Sequence, residues 1–166
     1  MKSQLFLLLA LVLSSTSAYA EPIPASWHGT WKGILEYRLG GQPAVRSSMT
    51  LIIEPVSSDT LRWAIQYEGQ PVRDYAMKHQ QGGHYIVDEK NGILIDHVFV
   101  DGVLYSQFEV MGRRFTIEHR LVEGKIVESG NTFQIEGARE SGGQTVPEVR
   151  SYPLVSYQRA VLTRQP

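Results

Sequence analysis

The chain has 166 residues, no cysteine, and 16 basic against 17 acidic residues. Without cysteine it has neither disulfides nor thiol chemistry to draw on. A net charge near zero makes no electrostatic case for nucleic acid or for an anionic membrane surface.

Residues 1 to 20 read as an export signal that is cleaved. Lys2 supplies the positive start, Leu5 to Leu13 the apolar segment, and Ala18-Tyr19-Ala20 a small-x-small cleavage site. The apolar run is too short to span a bilayer comfortably, and no cysteine follows it for lipid attachment, so no stable membrane anchor is expected. The mature chain would begin near Glu21 and be periplasmic or secreted. Residues 21–166 form one domain, about 146 residues long, large enough to bury its own core. Removing Lys2 leaves 15 basic against 17 acidic residues, a net charge of −2.

After an extended, proline-containing lead-in (Glu21 to Ser26), Trp31 to Leu39 alternates with period two. Trp31, Leu35, Tyr37 and Leu39 face one way with Gly33; Lys32, Glu36 and Arg38 face the other. Gly40 to Pro43 ends this strand. Ser48 to Glu54 is a second strand, with Met49, Leu51 and Ile53 on its apolar face. Leu61 to Glu68 is a third: Leu61, Trp63, Ile65 and Tyr67 alternate with Arg62, Gln66 and Glu68. Val72 to His79 is a fourth and His84 to Asp88 a fifth, ended by the hairpin pair Asn91-Gly92.

Three strands then follow between Asn91 and Gly124, separated by Asp101-Gly102, Met111-Gly112 and Glu123-Gly124. Lys125 to Glu136 is a ninth. Ala138 to Glu148 is polar and Gly-rich and reads as a mobile loop. Arg150 to Leu162 is the tenth, with Pro153 marking an edge or bulge early in it. No segment has helical periodicity over three turns. The pattern predicts an all-β fold: an antiparallel up-and-down meander of about ten strands, closed or nearly closed into a barrel. Closure removes the two edges and the bare apolar face of an open sheet; a two-sheet sandwich is the alternative.

Gly29-Thr30-Trp31, at the mouth of the first strand, resembles the G-x-W signature of the calycins: the lipocalins, the fatty-acid-binding proteins and their nitrobindin-like relatives. The resemblance implies a barrel whose closed end is plugged by that tryptophan and whose interior holds a pocket. The chain departs from the superfamily elsewhere. It has no T-D-Y motif, no C-terminal helix, and too few residues between its first two strands for a helix-turn-helix lid. Nitrobindin-like barrels hold haem through a late histidine, and Arg150 to Leu162 contains none.

The two-residue turns allow strands to be paired by arithmetic, and opposed residues share a face. Around Asp101-Gly102, His97 meets Ser106; around Met111-Gly112, Ser106 meets Ile117 and Leu104 meets His119. The shared face is Ile93, Ile95, Phe99, Leu104, Phe108, Val110, Phe115, Ile117 and Leu121, interrupted by His97, Ser106 and His119. Beyond Glu123-Gly124 two registers compete. A strict two-residue turn sets Glu128 opposite His119. One extra loop residue sets Ser129 there and Asn131 beside it, and buries Val127, Phe133 and Ile135. The second gives the more apolar face and is preferred on that ground.

Three readings of the polar spot stand. The side chains satisfy one another; or they orient the polar head of an apolar ligand; or the histidines bind haem or metal, or act on a substrate. Among other residues, Tyr37, Tyr67 and Tyr75 are placed to line a cavity, and Arg73 is placed at the rim or outside. Arg150 and Tyr152 resemble the Arg-x-Tyr carboxylate clamp of fatty-acid-binding proteins. His28 and His84 read as strand-entry surface residues, and Arg113-Arg114 as a solvated turn.

The expected function is that of an exported, non-enzymatic protein holding a small apolar or amphipathic molecule inside a barrel, with His97, Ser106, His119, Tyr67, Tyr75 and Phe108 as the contacting set. No cofactor is specified. The alternatives are a secreted inhibitor or adaptor acting through its loops, and a haem-binding, metal-binding or catalytic barrel using His97 and His119.

Overall fold

The computed structural model describes residues 22–166; the expected export signal at 1 to 20 lies outside the described residues. Ten strands follow one another round a closed antiparallel barrel. They are β1 (Gly29–Leu39), β2 (Val45–Pro55), β3 (Thr60–Tyr67), β4 (Arg73–His79), β5 (His84–Asp88), β6 (Leu94–Val100), β7 (Val103–Val110), β8 (Arg113–Val122), β9 (Lys125–Gln134) and β12 (Leu154–Arg164). β12 returns beside β1 and closes the barrel, pairing from Trp31 with Arg164 to Leu39 with Ser156. At this seam the backbones come close: a Cβ on Gly33 would lie 2.0 Å from the Val161 carbonyl oxygen, so only glycine fits.

The turns set the register. Asp101-Gly102, Met111-Gly112 and Glu123-Gly124 all take positive φ at both residues, the twist-matched geometry of a two-residue hairpin. The pairings inferred for the first two turns include His97 with Ser106, Phe99 with Leu104, Leu104 with His119 and Phe108 with Phe115, all of which are present; the β6–β7 pairing stops at His97 and does not reach Ile95. The third turn is strict as well. It sets Glu128, not Ser129, opposite His119, so the preference for the more apolar register is corrected. Ile126, Glu128 and Gly130 are the buried residues of β9, while Val127, Ser129, Asn131, Phe133 and Ile135 are only partly buried.

The segment expected to be a mobile loop is also ordered. Residues 139 to 151 form a hairpin, β10 (Arg139–Gly143) with β11 (Val146–Ser151), paired only to each other as a separate two-stranded sheet. Arg150 therefore belongs to β11, and the last barrel strand begins at Leu154 and runs to Arg164, two residues beyond its expected end.

One half of the barrel is solid. A short 3-10 turn, Ala25–Trp27, caps the end where β1 begins. Trp27 packs edge-on against Phe99 with ring centroids 5.4 Å apart, and the Trp31 indole N–H donates to the Trp27 carbonyl at 2.9 Å. The Ile23 amide donates to the Tyr85 hydroxyl at 2.7 Å. Below this cap Met49, Leu51, Ile53, Met77, Leu104, Ile126 and Leu162 are fully buried. Two indoles thus close the end that the G-x-W resemblance assigned to Trp31. His28 is not a surface residue: it is half-buried, and its Nε2 is enclosed without a hydrogen-bond partner.

Towards the other end, packing thins along each inward face. On β7 the series is Leu104 and Ser106 buried, Phe108 half-buried, Val110 exposed; on β6 it is Phe99 and His97 buried, Ile95 half-buried. Ile93 and Val110, expected on the apolar face, lie at the open rim and are exposed. The barrel therefore opens where β6 starts and β7 ends.

Candidate functional site

The opening leads to a cavity of about 120 Å³ lined by inward residues of β3 to β9 and β12. All six expected contact residues line it: His97, Ser106, His119, Tyr67, Tyr75 and Phe108. The strand register explains why. His97 and Ser106 face each other across β6 and β7, His119 lies two positions deeper on β8, and Trp63 and Tyr67 come from the inward face of β3.

His119 and Glu128 form the floor. They are 4% and 2% exposed, and the His119 Nε2–H donates to Glu128 Oε2 at 3.1 Å. The other carboxylate oxygen, Oε1, accepts from the Gln158 side-chain amide at 2.7 Å. A buried carboxylate is tolerated only when paired in this way. The Trp63 ring meets His119 edge-on at 5.1 Å and fixes the imidazole plane. Gln158 reaches Glu128 across Gly130: a Cβ there would lie 2.9 Å from Gln158 Cγ. Glycine at 130 is thus the space through which β12 supports the floor.

His97 is held differently. Its Nδ1 is 3.2 Å from the Ile95 carbonyl oxygen on its own strand. A carbonyl only accepts, so Nδ1 carries the proton and Nε2 is a bare lone pair. Burial, joined by the neighbouring His119, holds the His97 pKa down at about 4. The ring is neutral through the physiological range.

The walls are aromatic and aliphatic: Trp63, Ile65, Tyr67, Phe108 and Ile117. Burial, and after it the Glu128 carboxylate, pushes the Tyr67 hydroxyl up to about 12, so it stays protonated. Arg73 stands at the mouth, its guanidinium 5.4 Å from the Tyr67 ring centroid. It shares the inward register with Tyr75 and Met77, on the Ile65, Trp63 and Leu61 side of β3, but is itself exposed, a rim position. Tyr75 lies between Arg73 and Glu89, and burial followed by the Glu89 charge raises its pKa.

Three residues of the floor are not in the expected contact set. Glu128 was set aside with the less apolar register. Gln158 was not singled out, because it comes from a strand 30 residues away. Gly130 had no turn to mark it. The Arg-x-Tyr likeness does not place a clamp in the barrel: Arg150 pairs with Glu140 on the hairpin, and Tyr152 lies under Arg114 at 4.6 Å. Tyr37 is half-buried but does not line this cavity.

No family model matches the chain, and no curated protein sequence matches it. Solved structures share its fold. A protein of unknown function from the DUF3598 family of Nostoc punctiforme is 14% identical with a TM-score of 0.64, over 92% of this chain and 53% of that one. This chain thus spans about half the length of that structure. An S-type phycobiliprotein lyase from Guillardia theta is 6% identical with a TM-score of 0.55, over 85% of this chain and 89% of that one. A mutant of the fluorescent protein UnaG is 16% identical with a TM-score of 0.50, over 85% and 97%. Together with the closed ten-strand meander, these show the fold, a closed antiparallel β-barrel of the kind that the Gly29-Thr30-Trp31 resemblance implies.

Proposed function

We propose that this protein is an exported binding protein that holds one small apolar or amphipathic molecule in the open half of its barrel. The observation that carries the reading is the division of the interior. One half is packed solid behind Trp27 and Trp31, while the other keeps a cavity with aromatic walls and a polar floor. Apolar walls with a few placed polar groups are the usual make-up of a ligand pocket. The neighbours lend support: one is by name a phycobiliprotein lyase and another a fluorescent protein. The volume sets the scale of the buried part. An engineered cavity of about 150 Å³ holds benzene, so about 120 Å³ takes one ring or a short branched chain. The remainder of a longer ligand leaves along Ile95 and Phe108 to the rim.

Native mass spectrometry of protein purified from its own export compartment tests this. The expected spectrum contains a 1:1 adduct released under mild activation, on a chain whose N-terminus is Glu21. An empty barrel that gives no titration with any single-ring probe ends the binding reading, and a retained residue 1 to 20 segment ends the export part alone.

The haem and metal alternatives have less behind them in the residues present. The enclosed part of the cavity, about 120 Å³, takes one ring, and His119 has its Nε2 committed to Glu128, which leaves His97 Nε2 as the single free imidazole nitrogen at the floor. A metal site wants three or four converging ligands, and no group of three or more such residues is assembled among the described residues.

A further inference from the structure

This inference rests on the binding reading above and goes on to the chemistry of the ligand. The cavity floor is rich in hydrogen-bond acceptors. His97, 8% exposed, presents the bare Nε2 that follows from its Nδ1–H bond to the Ile95 carbonyl. Glu128 accepts one hydrogen bond on each oxygen, from His119 and Gln158, and each oxygen has a second lone pair. The hydroxyls of Ser106 and Tyr67 can donate or accept. Among the described residues no lysine or arginine lines the floor, and the cavity's one such cation, Arg73, stands at the mouth, with Glu89 close by.

Such a floor discriminates between head groups. A carboxylate carried to the bottom would lose its water and face the Glu128 carboxylate with no lysine or arginine beside it and with His119 Nε2 already committed to Glu128, and that arrangement is strongly unfavourable. An ether or ester oxygen would leave the His97 lone pair unpaired. A neutral O–H or N–H satisfies it. We propose that the ligand enters the barrel with a neutral hydrogen-bond donor first, on a single ring or group of that size, and that His97 Nε2 is the acceptor that selects it. The ligand class is therefore phenols, N–H heterocycles and alcohols of that breadth, with any acidic group kept outside the cavity. This is the reverse of burying a carboxylate head.

The test is a matched series titrated into the full mature chain by calorimetry: p-cresol, 4-methylanisole, toluene and 4-methylbenzoate. They share one ring and differ in the group that reaches the floor. The expected order places p-cresol at least about tenfold tighter than toluene and 4-methylanisole, with 4-methylbenzoate weakest. In His97→Leu the p-cresol advantage over toluene should fall to within about threefold. A second readout needs no variant: on p-cresol binding, the nitrogen NMR resonance of His97 Nε2 should move upfield, as it does when a bare imidazole nitrogen accepts a hydrogen bond. Binding of 4-methylbenzoate as tight as p-cresol overturns the inference while leaving the binding reading intact. So does an unchanged p-cresol advantage in a folded His97→Leu, or an unmoved His97 resonance. If toluene and the other three probes all fail to bind, the binding reading falls and this inference falls with it.

Discussion

The His119–Glu128 pair permits the most discriminating measurement on this protein. Both side chains are almost fully enclosed, and their contact is 3.1 Å. In His119→Leu the carboxylate keeps only the Gln158 amide, 2.7 Å from its far oxygen, and Trp63 loses its edge-on partner. Removing one member of a buried pair typically costs about 3–5 kcal/mol, most of it the stranded charge. With a urea m-value of about 2 kcal/mol/M for a domain of this size, the unfolding midpoint should drop by roughly 1.5–2.5 M. The double variant His119→Leu/Glu128→Leu strands nothing, because half-buried Gln158 can turn its amide to the cavity mouth. It should return to within about 1 kcal/mol of the parent. Urea unfolding at pH 7, followed by tryptophan fluorescence, reads all three proteins. A single variant that shifts by less than about 0.5 M, or a double no more stable than the single, would refute the claim that a paired charge sits at the floor.

Three further outcomes follow from the same geometry. His97 has its folded-state pKa depressed by burial, from 6.5 to about 4, so its contribution is fully present above pH 6.5 and is lost as pH falls towards 4. About 3.5 kcal/mol is at stake at roughly 1.4 kcal/mol per pH unit, and His97→Phe should flatten the fall seen in denaturation curves between those pH values. Gly130→Ala forces Gln158 aside, since the new Cβ would lie 2.9 Å from its Cγ; the expected loss is about 1–3 kcal/mol, and it should largely vanish in a Gln158→Ala background. Trp31→Ala opens the solid end, where the ring is 1% exposed and bonded to Trp27; a loss of about 3–5 kcal/mol is expected by thermal or urea unfolding.

Much of the barrel was legible because its turns are explicit. Asp101-Gly102 and Met111-Gly112 define register without reference to anything distant, and with register comes the side of every residue between Ile93 and Leu121. At β9 apolar count and turn chemistry point to different registers, and turn chemistry wins. Glu123-Gly124 has the same second-position glycine and the same positive φ pair as its two predecessors, and consistency among the three turns is the stronger signal. Counting apolar residues penalises a buried glutamate, but Glu128 is inside because His119 and Gln158 accompany it and Gly130 leaves room. Those partners meet only when the barrel closes, and no local pattern announces closure contacts. The hairpin of residues 139 to 151 was missed for a related reason. Nearly all of its strand residues are exposed, so it carries no two-residue alternation to read.

The position of the polar spot bears on whether it is simply a core satisfying itself. Self-satisfaction predicts that opposed polar residues bond across the strands; His119 and Glu128 do so, and His97 is directly opposite Ser106. Yet His97 turns Nδ1 to the carbonyl of Ile95 on its own strand. That contact holds the ring and leaves its other nitrogen without a proton. His119 and Glu128 are likewise anchored from behind, by Trp63 and by Gln158 through the gap at Gly130. Each group spends part of its bonding capacity on fixing its own orientation and retains the rest. The cluster lies where the solid half of the barrel gives way to the open half, so the retained capacity is at the bottom of the cavity. An inward face built only for stability would have carried leucine or valine there, at no cost in desolvated charge. Oriented, partly unspent polar groups at the base of an open cavity are the arrangement expected of a site that reads the end of an entering molecule.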